Sequence, residues 1–303
     1  MEKIPSFETN RGVQEQIMKK KIAVKNIIKE GLYIVSTPIG NLEDINSRAL
    51  AILRQADLII CENPKHSLKL LNKQGIKKKL IPLHDYNEEN LINKISKLKE
   101  GLKIALISDA GSPLISDPGY KLVKYFLENN VYVTAIPGCS SVINALQLSG
   151  LPVNNFAFYG FVPKQNSKAK NYFIKVKETG ITGVCFVSAN NIKKTIKNIL
   201  EFVGDVEMSL CKEMTKIHET IYRENASKIL KLIEENKILL KGEFTIVMSI
   251  NNKNPNIVDP NIRKELLKLL KKYNLTEVVK IVHSLTGISK KDIYQMAIKL
   301  KDG

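Results

Sequence analysis

One pattern recurs along the first half of the chain. A short apolar run, rich in β-branched residues, enters a turn of glycine, proline or aspartate, and a stretch with helical spacing follows. Residues 32–36 (LYIVS) lead into Thr37-Pro38-Ile39-Gly40, residues 57–61 (DLIIC) into a polar turn, residues 103–107 (KIALI) into the loop 108–119 (SDAGSPLISDPG), and residues 131–136 into Pro137-Gly138. Runs this short and this apolar are strands buried on both faces. The stretches between them predict helices over 47–55, with Leu50 and Leu53 inward and Ser47 as cap, over 67–73, over 88–100 with Leu91, Ile92, Ile95 and Leu98 inward, over 120–129, and from Ser140 onward. Strands alternating with helices imply an α/β fold whose sheet is mostly parallel and covered on both faces.

Gly150-Leu151-Pro152 reads as a hinge. Beyond it strands are expected near 156–159, 183–187, 206–211 and 244–250, with helices over 192–203 and 227–235, which makes a second α/β domain. A polar, proline-containing linker (252–260) precedes a basic tail, with eleven Lys/Arg against five Asp/Glu from residue 251 on. The tail predicts two short helices, 276–283 and 290–300, around Leu285-Thr286-Gly287-Ile288-Ser289. That spacing fits a helix-turn-helix module, and equally a helical hairpin packed on its own chain or on a second subunit. The expected division is an extension (1–30, helical over 13–29), two α/β domains (31–150 and 151–251), the linker, and the tail (261–303).

Composition narrows the class of function. No apolar run among the 303 residues reaches the roughly 18 needed to span a bilayer, which excludes an integral helical membrane protein. The first thirty residues are lysine-rich without an apolar centre, so no secretory signal is expected. Cys61, Cys139, Cys185 and Cys211 form no CxxC pair. A reduced, cytoplasmic setting follows, with each cysteine a small buried hydrophobe. Lys and Arg number 47 against 30 Asp and Glu, a net charge of +17. Such a field favours polyanions, nucleic acid above all, although scattered lysines also occur as a compositional background.

In open α/β sheets ligands bind beyond the carboxyl ends of the strands. Three such ends carry special residues here: 37–41, 108–119 and 137–141. Glycine lets main-chain N–H groups come close to a ligand, Asp109 puts a carboxylate at a strand tip, and Ser140 and Ser141 offer hydroxyls and amides at a helix start. Each alone is a common turn or cap; three on one sheet edge make a site. The sequence holds no GxGxxG after the first strand, no GxxxxGK[ST], no HExxH and no GxSxG. His66, His84, His218 and His283 are isolated, and no metal site is expected.

Residues 31–45 (GLYIVSTPIGNLEDI), 108–119 and 137–152 (PGCSSVINALQLSGLP) resemble the tetrapyrrole-methylase family. Within it they are similar to the branch that uses S-adenosylmethionine to methylate a cytidine ribose 2′-oxygen in the decoding centre of 16S rRNA. Further matches are Arg48-Ala49-Leu50, His84 with Asn87-Glu88, Gly160-Phe161-Val162-Pro163, Glu213-Met214-Thr215-Lys216, Lys241-Gly242-Glu243 and the tail around Leu285 to Tyr294, so that the resemblance spans 31–303. It implies two α/β domains with the cofactor in a cleft between them, a homodimer, and the small ribosomal subunit as partner. Carried over by position, Pro38, Ser108, Asp109 and Ala110 line the cofactor site, Ile115 gives it main-chain contacts, Ser140 and Ser141 hold its other end, and Val187 and Met214 contribute from the second domain.

The chain departs from the family pattern in places. Glu-Asp-Thr-Arg-His-Thr is here Glu62-Asn63-Pro64-Lys65-His66-Ser67, and lysine does not replace the planar fork of arginine. Tyr-Glu-Ser-x-His-Arg is here Phe186-Val187-Ser188-Ala189-Asn190-Asn191, and Cys139 stands where Pro-Gly-Pro has its second proline. Glu62, Lys65 and Glu213 are the candidate bases for the hydroxyl proton, each with a structural role as the alternative. A cofactor-binding protein without turnover that binds RNA or assists ribosome assembly, and a methyltransferase acting on a small tetrapyrrole-type molecule, are the competing readings.

Overall fold

The computed structural model describes residues 28–97, 101–250, 260–286 and 288–301. The helix expected over 13–29 and the linker over 252–260 lie almost wholly outside these, as does the end of the helix expected over 88–100. Tertiary contacts group the chain into two compact units. One holds the described residues up to Asn144 together with Glu213–Thr220; the other holds Ala145–Lys212 and the described residues from Ile221 on.

The first unit contains a five-stranded sheet of β1 (Gly31–Val35), β2 (Leu58–Cys61), β3 (Lys79–Pro82), β4 (Lys103–Ile107) and β5 (Val133–Ile136), in the order β3-β2-β4-β1-β5. Every pairing is parallel. Its helices are α1 (Ser47–Gln55), α2 (Pro64–Lys73), α3 (Glu88–Ile95) and α4 (Tyr120–Glu128), followed by α5 (Ser141–Ser149). Alternation along the strands sends side chains to both faces. Tyr33, Val35, Ile59, Ala105 and Ile107 pack with Ala49, Ile52 and Leu53 of α1 and Leu71 of α2. Leu32, Leu58, Ile60, Ile104 and Leu106 pack with Leu91 and Ile95 of α3 and Leu122 and Phe126 of α4. The helices after β1 and β2 therefore cover one face, and those after β3 and β4 cover the other.

Local chemistry sets the boundaries. Asn46, not Ser47, caps α1: its side-chain oxygen accepts the Ala49 N–H at 2.8 Å, because Asn46 keeps the extended backbone a cap requires. Helix α2 starts three residues before the expected Ser67. Asn63 accepts the Lys65 N–H at 3.1 Å, and Pro64 occupies the first helical position, where no N–H is needed. Strand β3 was not expected. It is an edge strand, and the run Lys77-Lys78-Lys79 conceals its apolar content.

The second unit has a mixed sheet of β6 (Phe156–Phe161), β7 (Thr182–Ser188), β8 (Glu207–Lys212), β9 (Thr220–Asn225) and β10 (Glu243–Met248), ordered β6-β7-β10-β8-β9. β6 and β7 are parallel, while β10 is antiparallel to both β7 and β8. Helices α6 (Asn166–Thr179), α7 (Ile192–Asn198, continued by a π turn over Ile199–Val203) and α8 (Ala226–Glu234) bury Phe173, Ile196 and Ile229 against Cys185, Leu210 and Ile246. Helix α6 and strand β9 were not expected, since lysines and polar residues mask their periodicity.

The tail folds as three helices, α9 (Pro260–Leu270), α10 (Leu275–Thr286) and α11 (Lys290–Lys301), around Leu266, Val278, Val282, Ile293 and Met296. The two expected helices are α10 and α11; α9 adds a third. Asn274 accepts the Glu277 N–H at 2.9 Å, and the Glu277 carboxylate accepts the Asn274 N–H at 3.3 Å, a reciprocal cap that fixes the start of α10.

Candidate functional site

β1 and β4 lie side by side, yet α1 leaves β1 over one face of the sheet and α4 leaves β4 over the other. Chain that diverges in this way opens a crevice at the carboxyl ends of the two strands, where open α/β sheets take their ligands. The residues expected to bind the cofactor in the first unit collect at this edge.

Beyond β1, the Thr37 N–H donates to the Gly111 carbonyl at 2.8 Å, and the Gly111 N–H donates back at 3.0 Å. Gly111 has φ +81°, and a Cβ there would lie 3.3 Å from Ile39 Cγ2. The loop can make this turn because glycine occupies the left-handed region freely. Pro38 and Ile39 are buried beside it. The Ser36 and Ser112 hydroxyls lie 3.2 Å apart, and Ser112 donates to the Cys139 carbonyl at 3.1 Å, so the ends of β1, β4 and β5 are stitched together. Asn46 serves twice. While its oxygen caps α1, its amide nitrogen donates to the Pro137 carbonyl at 2.8 Å.

Ser140 and Ser141 are half-buried at the start of α5, and the Ser140 carbonyl accepts the Asn144 N–H at 2.9 Å. Cys139 is only partly buried, unlike the other three cysteines, and burial pushes its thiol up from the ordinary range. Ile115 is exposed between Leu114 at φ 75° and Ser116 at φ 72°. Two non-glycine residues in the left-handed region, one on each side of Ile115, cost about 1 kcal/mol or more each, and such strain concentrates at ligand sites.

The segment Glu213–Thr220 returns to this edge. The Asn41 N–H donates to the Thr215 hydroxyl at 3.1 Å, and a Cβ on Gly40 would meet Lys216 Cγ at 2.6 Å and the Met214 carbonyl at 3.0 Å. Met214 is buried. Glu213 holds Lys216 at 2.9 Å with its own backbone at φ 50°, so its carboxylate already has a structural partner.

Three acids meet at the ends of β2 and β4. Asp109 accepts the Asn63 N–H at 3.1 Å. Burial pushes the Glu62 carboxyl up from its ordinary value, and the Asp109 charge adds to this, with a smaller push from Asp85; a hydrogen bond from the Asp109 main chain and, less, His84 pull the other way. Asp117 rises to about 6, first through burial and then through the charges of Glu62 and Asp109; a hydrogen bond from Ser108 pulls the other way. Asp117 was not singled out from the sequence. Its place before Pro118-Gly119 at a helix start reads as an ordinary cap, and only the fold brings it to Glu62. Glu88 has a different role. It is buried, and it accepts the Leu122 N–H at 2.7 Å, capping α4 from another helix.

Val187 lies in the second unit, where its side chain belongs to the core and its backbone pairs with Phe244. Lys65 is exposed on the first turn of α2. Among the described residues no group of three or more His, Cys, Asp and Glu is placed to hold a metal ion. No helix among them is long and apolar enough to cross a membrane.

Residues 31–230 match the family model of tetrapyrrole (corrin/porphyrin) methylases. The chain is 42% identical over 219 residues to the ribosomal RNA small subunit methyltransferase I of Thermotoga maritima, covering 72% of this chain and 97% of that protein. It is 36% identical over 278 residues to the protein of the same name from Halalkalibacterium halodurans, covering 88% and 94%. Among solved structures it is similar to diphthine synthase, with a TM-score of 0.55 at 16% identity over 72% of this chain and 89% of that one. A cobalt precorrin-4 methyltransferase gives 0.54 at 17% identity over 72% and 94%. At such identities the two structures speak for the fold alone.

Proposed function

Because the chain belongs to the tetrapyrrole (corrin/porphyrin) methylase family, we propose that it methylates the RNA of the small ribosomal subunit at the 2′-oxygen of a cytidine in the decoding centre. It is a methyltransferase that uses S-adenosylmethionine. The observation that carries the RNA reading is the 42% identity over 97% of the Thermotoga maritima protein. The net charge of +17 supports a polyanionic substrate.

The carboxyl edge of the all-parallel sheet suits such a cofactor. It presents main-chain groups around Pro38, Ala110 and Ile115, a carboxylate at Asp109, and hydroxyls with main-chain amides at Ser140 and Ser141, the Ser140 hydroxyl also accepting the Ile143 N–H at 3.5 Å. When bound, the cofactor supplies a methyl group activated by a sulfonium. Asp109 favours its cationic groups, and the start of α5 accepts its carboxylate or a polar edge. The tied loops fix the direction of approach, and positioning of this kind supplies much of the rate in transfer between two bound groups.

For the base we favour Glu62 over Lys65 and Glu213. Its raised carboxyl is a better proton acceptor for a ribose hydroxyl than an ordinary one, whereas Glu213 is held by Lys216 and Lys65 stands in solvent. We read the hinge near Gly150 as the boundary of two α/β domains, the three-helix tail as a separate module, and the protein as a cytoplasmic homodimer.

The test is methyl transfer from labelled cofactor to small ribosomal subunits lacking the modification, with nucleoside analysis of the recovered RNA. Label in 2′-O-methylcytidine, or in its N4-methylated form, is expected. Absence of label, under conditions where the Thermotoga maritima protein labels its subunits, overturns the proposal for this substrate. Cofactor binding alone would then favour the reading without turnover.

A further inference from the structure

Strand β6 ends in a deformation that places a phenylalanine ring in solvent. Phe158 pairs with Val184 and Phe161 with Phe186, so three steps along β6 match two along β7. The extra residue is a β-bulge, made possible by Gly160 at φ 69°. In a regular strand Phe158 and Phe161 would face opposite sides of the sheet. The bulge restores the phase, and both rings meet Phe186 edge-on, at centroid distances of 4.8 and 5.3 Å. Phe158 and Phe186 are half-buried, while Phe161 remains 62% exposed. β6 is an edge strand of its sheet, and Phe156 at its other end is also exposed.

The flanking sequence is rich in lysine. From Asn129 to Lys177 the chain contains no Asp or Glu, but it contains Lys164, Lys168, Lys170, Lys175 and Lys177. Lys164 and Lys168 follow Phe161 directly and are exposed. Lys194 at the start of α7 reaches the same loop, its ammonium donating to the Lys164 carbonyl at 2.7 Å. An aromatic face braced by other rings and rimmed with lysines matches how proteins hold single-stranded nucleic acid: the ring stacks on a base, and the cations meet the backbone. A second copy of this chain would bring like charge to like charge.

We propose that Phe161 is a stacking platform for one unpaired base of the RNA substrate, with Lys164, Lys168 and Lys194 meeting the flanking phosphates. This rests on the RNA reading above and adds to it a substrate-contacting residue in the second unit.

The chain has no tryptophan, so Phe161→Trp introduces a single fluorescent reporter at the platform. Its emission should be quenched by a single-stranded RNA of decoding-centre sequence and should not change with protein concentration. Phe161→Ala should weaken that RNA, and raise KM for small subunits, by about 5- to 150-fold, with Phe161→Tyr close to wild type and S-adenosylmethionine affinity unaltered. Equal RNA binding by wild type and Phe161→Ala, in a protein that methylates subunits, overturns this inference and leaves the functional reading intact. Reporter emission that follows protein concentration rather than RNA also overturns it, and assigns the ring to a contact between copies. Wild-type protein that neither binds nor methylates the RNA overturns the functional reading and this inference together.

Discussion

Thr37 and Gly111 exchange both main-chain hydrogen bonds as an antiparallel pair, just beyond two strands that run parallel. The chain after β4 has therefore reversed within four residues, from Ile107 to Gly111, and Gly111 at φ 81° takes the torsion that reversal needs. Replacing Gly111 with Ala should cost about 1–2 kcal/mol from the backbone alone. It should also displace Ile39, whose Cγ2 a new Cβ would approach at 3.3 Å. Gly180, at φ 64° with nothing within 4 Å of its position, is the control. Calorimetry should show both variants less stable, and titration with S-adenosylmethionine should show weaker binding only for Gly111→Ala.

Asp109 already accepts the Asn63 amide, so Asp109→Asn keeps an acceptor there and removes only the charge. The expected outcome is about a tenfold loss of S-adenosylmethionine affinity with little change in melting temperature, as for a charge-assisted contact made neutral. Isothermal titration checks the affinity, and a thermal scan checks the melting temperature. Unchanged affinity would remove Asp109 from the cofactor site.

The acid cluster gives stability a pH dependence of definite sign. Asp117 titrates near 6 in the folded chain because of burial and the nearby Glu62 and Asp109 charges, whereas an unfolded carboxyl titrates near ~4. Between those values the folded state holds the extra proton. Its stabilising effect is complete below the lower value and is lost as pH rises through the upper one. Glu62, also raised, acts in the same direction, with His84 opposing and Asp85 reinforcing. Asp117→Asn should reduce the slope of the urea midpoint over this window. It should also stabilise the protein at pH 7 by on the order of 1–2 kcal/mol, allowing for screening at a half-exposed site. A wild-type midpoint that rises through this window contradicts the assignment.

Glu88 caps α4 from α3, so its removal should act on stability rather than chemistry. Glu88→Ala leaves the Leu122 N–H without this acceptor in a buried place, at a cost of about 1–3 kcal/mol. Glu88→Gln, which keeps an oxygen, should cost less. Chemical denaturation of the two variants orders them, while turnover per folded molecule stays unchanged.

The strands of the first sheet were legible because LYIV, LIIC and KIALI are buried on both faces, and burial leaves apolar residues no alternative. The edge strands β3 and β9 were not, for the opposite reason: KLIP and TIYREN sit half in water and resemble loops. Helix α6 was hidden because its apolar positions, Ala169, Phe173 and Val176, are spread among four lysines and other polar residues. Glycine and proline marked the loops that meet at the carboxyl edge. The pairing of Asp117 with Glu62 could not be read, since 55 residues separate them and only the order of the strands brings them together. Nor did the sequence reveal that Asn46 supports two loops at once, or that Glu88 serves a helix other than its own.

The crevice edge is joined largely through peptide groups: Thr37 to Gly111, Asn46 to the Pro137 carbonyl, Ser112 to the Cys139 carbonyl. A carbonyl is common to every amino acid, so mutation at an acceptor position alters the side chain and leaves the bond. Cys139 illustrates this, since the acceptor it gives Ser112 is one that the family's proline would give equally well. Over long divergence, a lineage built in this way is free to exchange the side chains that choose a substrate while inheriting the same cradle. The positions that constrain such a chain most are then the few where its backbone must bend.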